Sequence, residues 1–259
     1  MVSDRTTSVR SSTCIVVPCY NEALRLDVEK FSAYCTSAAA VHLLFVDDGS
    51  TDNTLEVLQT LAAAHPGRVK VSQLERNSGK AEAVRRGLLI AIEDGFDYVG
   101  FWDADLATPL REIETFCRVM DDHPELLMAI GSRVKLLGRS IRRRPIRHYL
   151  GRVFATVVSL ILRLPVYDTQ CGAKLLRVTS ETRELLQEPF LTKWIFDVEI
   201  LARLINARGG SDYPSIENLV FEIPLDEWHD VAGSKLRSRD FLHASWQLLT
   251  VWRVYMWRS

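Results

Sequence analysis

Apolar and polar positions in the first half of the chain alternate between two periods. Short apolar runs at 14–18 (CIVVP), 42–48 (HLLFVDD), 69–74 (VKVSQL), 98–105 (YVGFWDAD) and 126–133 (LLMAIGSR) predict strands. Between them, segments at roughly 23–38, 52–64, 79–94 and 109–121 carry the spacing of amphipathic helices. Near-continuous apolar strands separated by helices imply a mostly parallel sheet covered on both faces. Thr108 followed by Pro109 predicts a helix start, since a capping side chain precedes a residue with no N–H to satisfy.

Beyond Arg133 the alternation becomes irregular. A basic stretch, KLLGRSIRRRPIRHYLGR (135–152), runs into a helix over 145–164. YDTQCGAKLLR (167–177) follows, then helices near 180–187 and 194–207, a strand at 219–225 (LVFEIPL) and a Trp-rich helix at 240–257. The pattern reads as one α/β domain over 13–239, with a short flexible N-terminus (1–12) and a C-terminal amphipathic helix (240–259).

Composition changes this picture only locally. A chain of 259 residues, 47% apolar and with a formal net charge of −1, can bury a large core and offers no bulk charge for a nucleic acid. Between Leu126 and Tyr167, however, there are nine Lys/Arg and no Asp/Glu, which marks either a solvated face or a surface that meets anions. The five cysteines lack metal-ligand spacing and fit a reducing compartment. The polar start has no secretory h-region, and no run reaches the ~18 apolar residues of a membrane span. The expectation is a cytoplasmic protein that can still lie on a membrane.

Candidate chemistry gathers at the strand ends. On an extended strand Asp103 and Asp105 would point to one side, at the carboxyl edge where open parallel sheets hold ligands. Their hard oxygens suit Mg²⁺ or Mn²⁺ bound together with substrate phosphates. FVDDGSTDNT (45–54) ends a second strand at that edge. Ser50, Thr51 or Asp52 can cap the next helix there, which leaves the adjacent Asp47 and Asp48 without a capping role. VVPCYNE (16–22) ends a third strand and would project Tyr20, Asn21 and Glu22 after Pro18. RNSGKAEAVRRG (76–87) places Lys80 at a helix N-terminus, where an anion or a plain turn would fit. DADLAT departs from the DxDxT of an aspartyl-phosphate enzyme because its threonine, Thr108, stands one place late.

In this order, VVPCYNE, VDDGSTDNT, RNSGKAEAVRRG and DADLATP resemble the family 2 inverting glycosyltransferases. GSR (131–133), DTQCGAKLLR (168–177), KWIFDVEIL (193–201), IPLDEW (223–228) and GSKL (233–236) are most similar to the dolichyl- and polyprenyl-phosphate β-glucosyltransferases. The related mannosyltransferases often carry Gln where this chain has Ala107, and Arg near His229, Asp230 and Val231. The resemblance spans about 13–258 and implies a single GT-A-type nucleotide-sugar-binding domain. It implies that Pro18, Tyr20, Asn21, Glu22, Asp47, Asp48 and Lys80 surround the donor, a UDP-sugar by preference. Asp103 and Asp105 would hold the metal and the donor diphosphate. Arg133, Arg152 and Lys235 would meet the phosphate of a lipid-phosphate acceptor, with Asp168 and Gln170 beside them. Asp168, Asp197 and Glu199 either orient groups near the acceptor or are buried, hydrogen-bonded carboxylates. Other readings are a transferase with a different donor or a soluble or polysaccharide acceptor, and a non-catalytic nucleotide-sugar-binding membrane adaptor. The basic stretch would meet an anionic membrane surface, the C-terminal aromatics would enter that interface or pack on the domain core or a partner subunit, and the oligomeric state is open.

Overall fold

The computed structural model describes residues 11–37, 40–142, 145–209, 216–231 and 238–257. Alternation along the first strand, β1 (Thr13–Cys19), explains why the sheet is covered on both sides. Cys14 and Val16 enter one apolar cluster, whereas Ile15, Val17 and Cys19 enter another. β1 pairs in parallel with β2 (Val41–Asp47) and β4 (Tyr98–Trp102), and β2 with β3 (Val69–Gln73). Helices α1 (Val28–Ser37), α2 (Thr54–Ala64), α3 (Lys80–Glu93) and α4 (Glu112–Asp122) alternate with these strands.

The second half extends the same sheet. β5 (Met128–Ser132) runs parallel to β8 (Val220–Pro224), and β7 (Ala173–Arg177) lies between β4 and β5, antiparallel to both. The strand order is therefore β3-β2-β1-β4-β7-β5-β8. A separate parallel pair joins β6 (Ser140–Arg142) to β9 (Glu227–His229). The remaining helices are α5 (Pro145–Leu162), α6 (Ser180–Gln187), α7 (Phe196–Ala207) and α8 (Ser238–Val251), which runs into a π-helical turn, Trp252–Met256. Residues of α1, α2 and α4 fill the Ile15 side; residues of α3 and α5 to α8 fill the Val16 side.

The predicted parallel core and its helices are present, with shifted boundaries. The helix expected from residue 23 begins at Val28, because the Glu22 and Ala23 N–H groups donate instead to Thr54 Oγ1 and Asp52 Oδ2 (2.8 and 3.3 Å). Asp27 then caps α1, its carboxylate accepting the Lys30 N–H at 3.1 Å. The Thr108–Pro109 start is overturned: α4 begins at Glu112. Thr108 is buried, and its carbonyl accepts the Trp102 indole N–H at 3.0 Å, which holds this segment as a turn over the strand end. β7 was not expected as a strand, since the charged Lys174 interrupts its apolar run. β6 and β9, three residues each, are too short to show a period.

No helix among the described residues is long and apolar enough to cross a membrane. A buried and a half-buried arginine tie the layers together by donating to orphan carbonyls at helix ends. Arg85 reaches the Leu186 and Gln187 carbonyls after α6, and Arg177 reaches those of Met120 and His123 after α4.

The closest approach in the sheet is at Gly100 of β4, where an added Cβ would overlap the Lys174 carbonyl of β7. Gly100→Ala should therefore cost about 1–3 kcal/mol through overpacking. It would be read as a lower urea midpoint at constant slope; an unchanged midpoint would show spare room between β4 and β7.

Candidate functional site

Parallel strands β1, β2 and β4 end at one edge, and their loops enclose an open cleft. Pro18, Tyr20, Glu22, Asp48, Lys80, Asp103 and Asp105 all line it, as the sequence predicts. Arg25 lines it too, though sequence reasoning missed it; the turn that replaces the first part of the expected helix brings it there.

Asp48 organises the rim. Its Oδ1 accepts the Ser78 N–H at 2.7 Å and its Oδ2 the Gly79 N–H at 2.8 Å. Burial raises its pKa while those two hydrogen bonds oppose the shift. Gly49, at φ +65°, lets the two loops touch, since a Cβ there would meet the backbone of Arg76 and Asn77 at 2.5–2.6 Å. Two other predicted residues do not line this cleft. Asp47 is fully buried and accepts the Ser50 N–H at 3.3 Å. Asn21 adopts φ +52°; its Oδ1 accepts the Thr51 N–H at 2.9 Å, and its own N–H donates to Ser50 Oγ at 3.0 Å. Both hold the loop together. Of the three capping candidates, Asp52 accepts the first N–H of α2, that of Thr54, at 3.0 Å.

Asp103 and Asp105 converge by a route different from the expected one. β4 stops at Trp102, and 103–105 form a turn closed by the Leu106 N–H donating to the Asp103 carbonyl at 3.2 Å. Asp103 is set by β7, for its N–H donates to the Gly172 carbonyl at 3.0 Å. Any Cβ on Gly172 would overlap the Asp103 carboxylate. The Lys80 ammonium stands 2.5 Å from Asp103 Oδ1. Burial and the neighbouring Asp103 charge raise the pKa of Asp105. Two like charges held together in a partly desolvated turn fit a divalent cation, which would relieve their repulsion. Among the described residues no third His, Cys, Asp or Glu joins them, so further ligands would be substrate or water oxygens.

Behind this pair lies a layer of buried charge. Lys174 is 0% exposed; its ammonium donates to the Cys171 carbonyl and pairs with Asp197 Oδ1, both at 2.6 Å. Glu199 is also buried and accepts from the Leu191 and Thr192 N–H groups, Arg203 and Tyr255 (2.8–3.0 Å). It is a structural carboxylate. Burial pushes the Cys171 thiol up to about 11, so it stays protonated and is no nucleophile at neutral pH.

Two arginines with carboxylate or aromatic partners stand beside the cleft, Arg133 near enough to Asp103 for their charges to interact. Arg133, at the end of β5, forks onto Asp168 through Nε (2.6 Å) and Nη2 (2.7 Å), and Trp228 of β9 lies under the guanidinium at 5.4 Å. Burial opposes the arginine charge, but Asp168 outweighs it and raises the pKa. Glu222 of β8 accepts the Tyr167 and Asp168 N–H groups at 2.7 and 2.8 Å, fixing that turn. Arg152 of α5 stacks on Tyr167 at 3.5 Å and donates to its carbonyl. Gln170 is half-buried in the same turn. Lys235 lies outside the described residues. The His229 N–H donates to the Ala107 carbonyl at 3.1 Å, joining β9 to the loop after Asp105. Gly172, Lys174, Glu222 and Trp228 were not singled out from the sequence; the runs DTQCGAKLLR and IPLDEW contain all but Glu222.

The Glycosyl transferase family 2 profile matches residues 14–182. A dolichyl-phosphate beta-glucosyltransferase of Mus musculus is 32% identical over 95% of this chain and 78% of its own length. A polyprenol monophosphomannose synthase of Mycolicibacterium smegmatis is 28% identical over 90% of this chain and 86% of its own. The fold is similar to that of glucosyl-3-phosphoglycerate synthase from Mycobacterium tuberculosis, solved with UDP (TM-score 0.65, 19% identity, 93% of this chain and 79% of that one). The same enzyme has been solved with Mn²⁺ and UDP, and with phosphoglyceric acid. With a family profile over more than half its length and a GT-A-like sheet beneath the motifs, the chain belongs to glycosyl transferase family 2.

Proposed function

We propose that the chain transfers a hexose, glucose from UDP-glucose by preference, onto a polyprenyl or dolichyl monophosphate with inversion. The observation that carries this reading is the adjacency of two opposite sites: the acidic Asp103–Asp105 cleft and the Arg133–Arg152 cluster. In this reading Pro18, Tyr20, Glu22 and Asp48 hold the nucleoside, while Asn21 and Asp47 brace its loop. Mg²⁺ or Mn²⁺, held by Asp103 and Asp105, would supply Lewis-acid stabilisation of the departing diphosphate. The acceptor phosphate needs placement more than deprotonation, because its second pKa is about 6. Arg133 binds Asp168 through its Nε/Nη2 edge, which leaves the Nη1 edge for that phosphate. Arg152, braced on Tyr167, supplies a second positive charge, and Lys235 a third. An acceptor oxygen so positioned attacks the anomeric carbon as the bond to the diphosphate breaks on the opposite face.

The lipid nature of the acceptor rests on the relatives and on the surface. Tyr149, Val153, Val157 and Leu160 form an exposed apolar stripe on α5, and Trp246, Leu249 and Trp257 are exposed on the C-terminal segment. The basic block flanks α5 and would meet anionic headgroups on the cytoplasmic face. The opposite face of α8 is core, with Ala244, Leu248 and Val251 buried. A second reading, a soluble phosphorylated acceptor, draws on the likeness to the phosphoglycerate enzyme. Transfer of label from UDP-[¹⁴C]glucose into organic-extractable lipid tests the first reading; label only in water-soluble phosphate esters favours the second.

Asp103→Ala and Asp105→Ala should each abolish transfer with the fold intact, and EDTA should do the same until Mg²⁺ or Mn²⁺ is restored. Full activity in EDTA would contradict the metal role. Arg133→Lys should lose most transfer while UDP affinity stays within about twofold, since a point charge replaces a planar fork. Loss of UDP binding instead would move Arg133 to the donor side. Sedimentation with anionic vesicles should fall as salt rises, because each basic residue near the surface contributes roughly 1 kcal/mol of screened attraction. Protein that ignores such vesicles at low salt is not peripheral by this route.

A further inference from the structure

Lys80 opens α3, and its ammonium reaches across the cleft to Asp103 Oδ1 at 2.5 Å. The carboxylate it occupies is one of the two that would take a divalent cation. An ammonium keeps its charge at neutral pH unless it is deeply buried. The lysine is thus a fixed positive charge. Its side chain remains 43% exposed, and an ion pair with that much solvent adds little to fold stability. The pair therefore calls for another explanation.

An ammonium and a divalent ion cannot share one carboxylate oxygen without strong repulsion. A lysine that leaves Oδ1 removes that repulsion and frees the oxygen for the metal. Lys80 can leave, since its stem is flexible and its side chain is partly open to solvent. It also has a destination: Lys80 lines the same cleft as Tyr20, Glu22 and Asp48, so a diphosphate held there would sit within the sweep of that stem. We propose that Lys80 is a resident counter-cation on Asp103 that yields to a divalent ion only when a nucleoside diphosphate arrives to receive the ammonium. This rests on the cleft being the donor site. Metal and diphosphate then bind cooperatively, each strengthening the other by the same factor. The empty cleft keeps its acidic pair partly neutralised without recruiting metal.

The test is Mn²⁺ binding to the full chain, followed by the paramagnetic resonance signal of free Mn²⁺, with UDP as the diphosphate probe. Wild type should bind Mn²⁺ at least about tenfold more tightly when UDP is saturating. Lys80→Met keeps the stem and a good helix former; without UDP it should bind Mn²⁺ about tenfold more tightly than wild type and lose most of the UDP enhancement. Lys80→Arg keeps the charge and should retain weak binding without UDP. If Lys80→Met leaves Mn²⁺ affinity without UDP unchanged while UDP still binds with Mn²⁺, the inference is wrong and the donor reading stands. If UDP fails to bind wild type even with Mn²⁺, the donor reading falls and takes this inference with it.

Discussion

The antiparallel insertion of β7 between β4 and β5 decides where the chemically active side chains stand. Through it the Gly172 carbonyl meets the Asp103 N–H, and the absent side chain of Gly172 leaves space for the Asp103 carboxylate. The turn before β7 carries Asp168 to Arg133, at the end of β5 on β7's other side. One strand thus sets the spacing between an acidic and a basic site that belong to different strand ends. The parallel half of the sheet supplies only the cleft.

Charge in this region is arranged so that few ions are buried alone. Lys174 and Asp197 pair beneath the cleft, Arg133 and Asp168 pair beside it, and Glu222 holds the turn between them through two backbone N–H groups. Removing one member of such a pair costs far more than the pair contributes, because the remaining charge is stranded in a low dielectric. Asp103 and Asp105 are held differently. They repel each other, and the partner nearest to them is a lysine on a flexible stem. A site that holds its repulsion until a ligand arrives is built for binding, whereas the layer behind it is built for rigidity.

Much of this was legible in the sequence because strand ends announce themselves. Apolar runs that stop at VVPCYNE, FVDDGS and FWDAD placed three loops at one edge, and the structure brings Pro18, Tyr20, Glu22, Asp48, Lys80, Asp103 and Asp105 together there. The motif order also marked the family. Less legible was how loop residues divide their work: Asn21 bonds to the Ser50–Thr51 turn, and Asp47 is buried with one oxygen on the Ser50 N–H. Thr108–Pro109 resembled a helix start, yet the Trp102 indole holds the Thr108 carbonyl in a turn. β7 was hidden by Lys174, a charge that Asp197, distant in the chain, and the Cys171 carbonyl make tolerable in a core strand. Such pairings are long-range, and local periodicity carries no trace of them.

The role of β7 is tested most directly at Gly172. A methyl group there overlaps the Asp103 carboxylate, whose atoms are the three nearest to it. The account predicts that Gly172→Ala keeps its circular dichroism and cooperative unfolding but binds UDP with Mn²⁺ at least about tenfold more weakly by calorimetry, a loss of ~1.4 kcal/mol. Affinity equal to that of wild type in a well-folded Gly172→Ala protein would contradict it, because the position of Asp103 would then not depend on the seat that β7 provides.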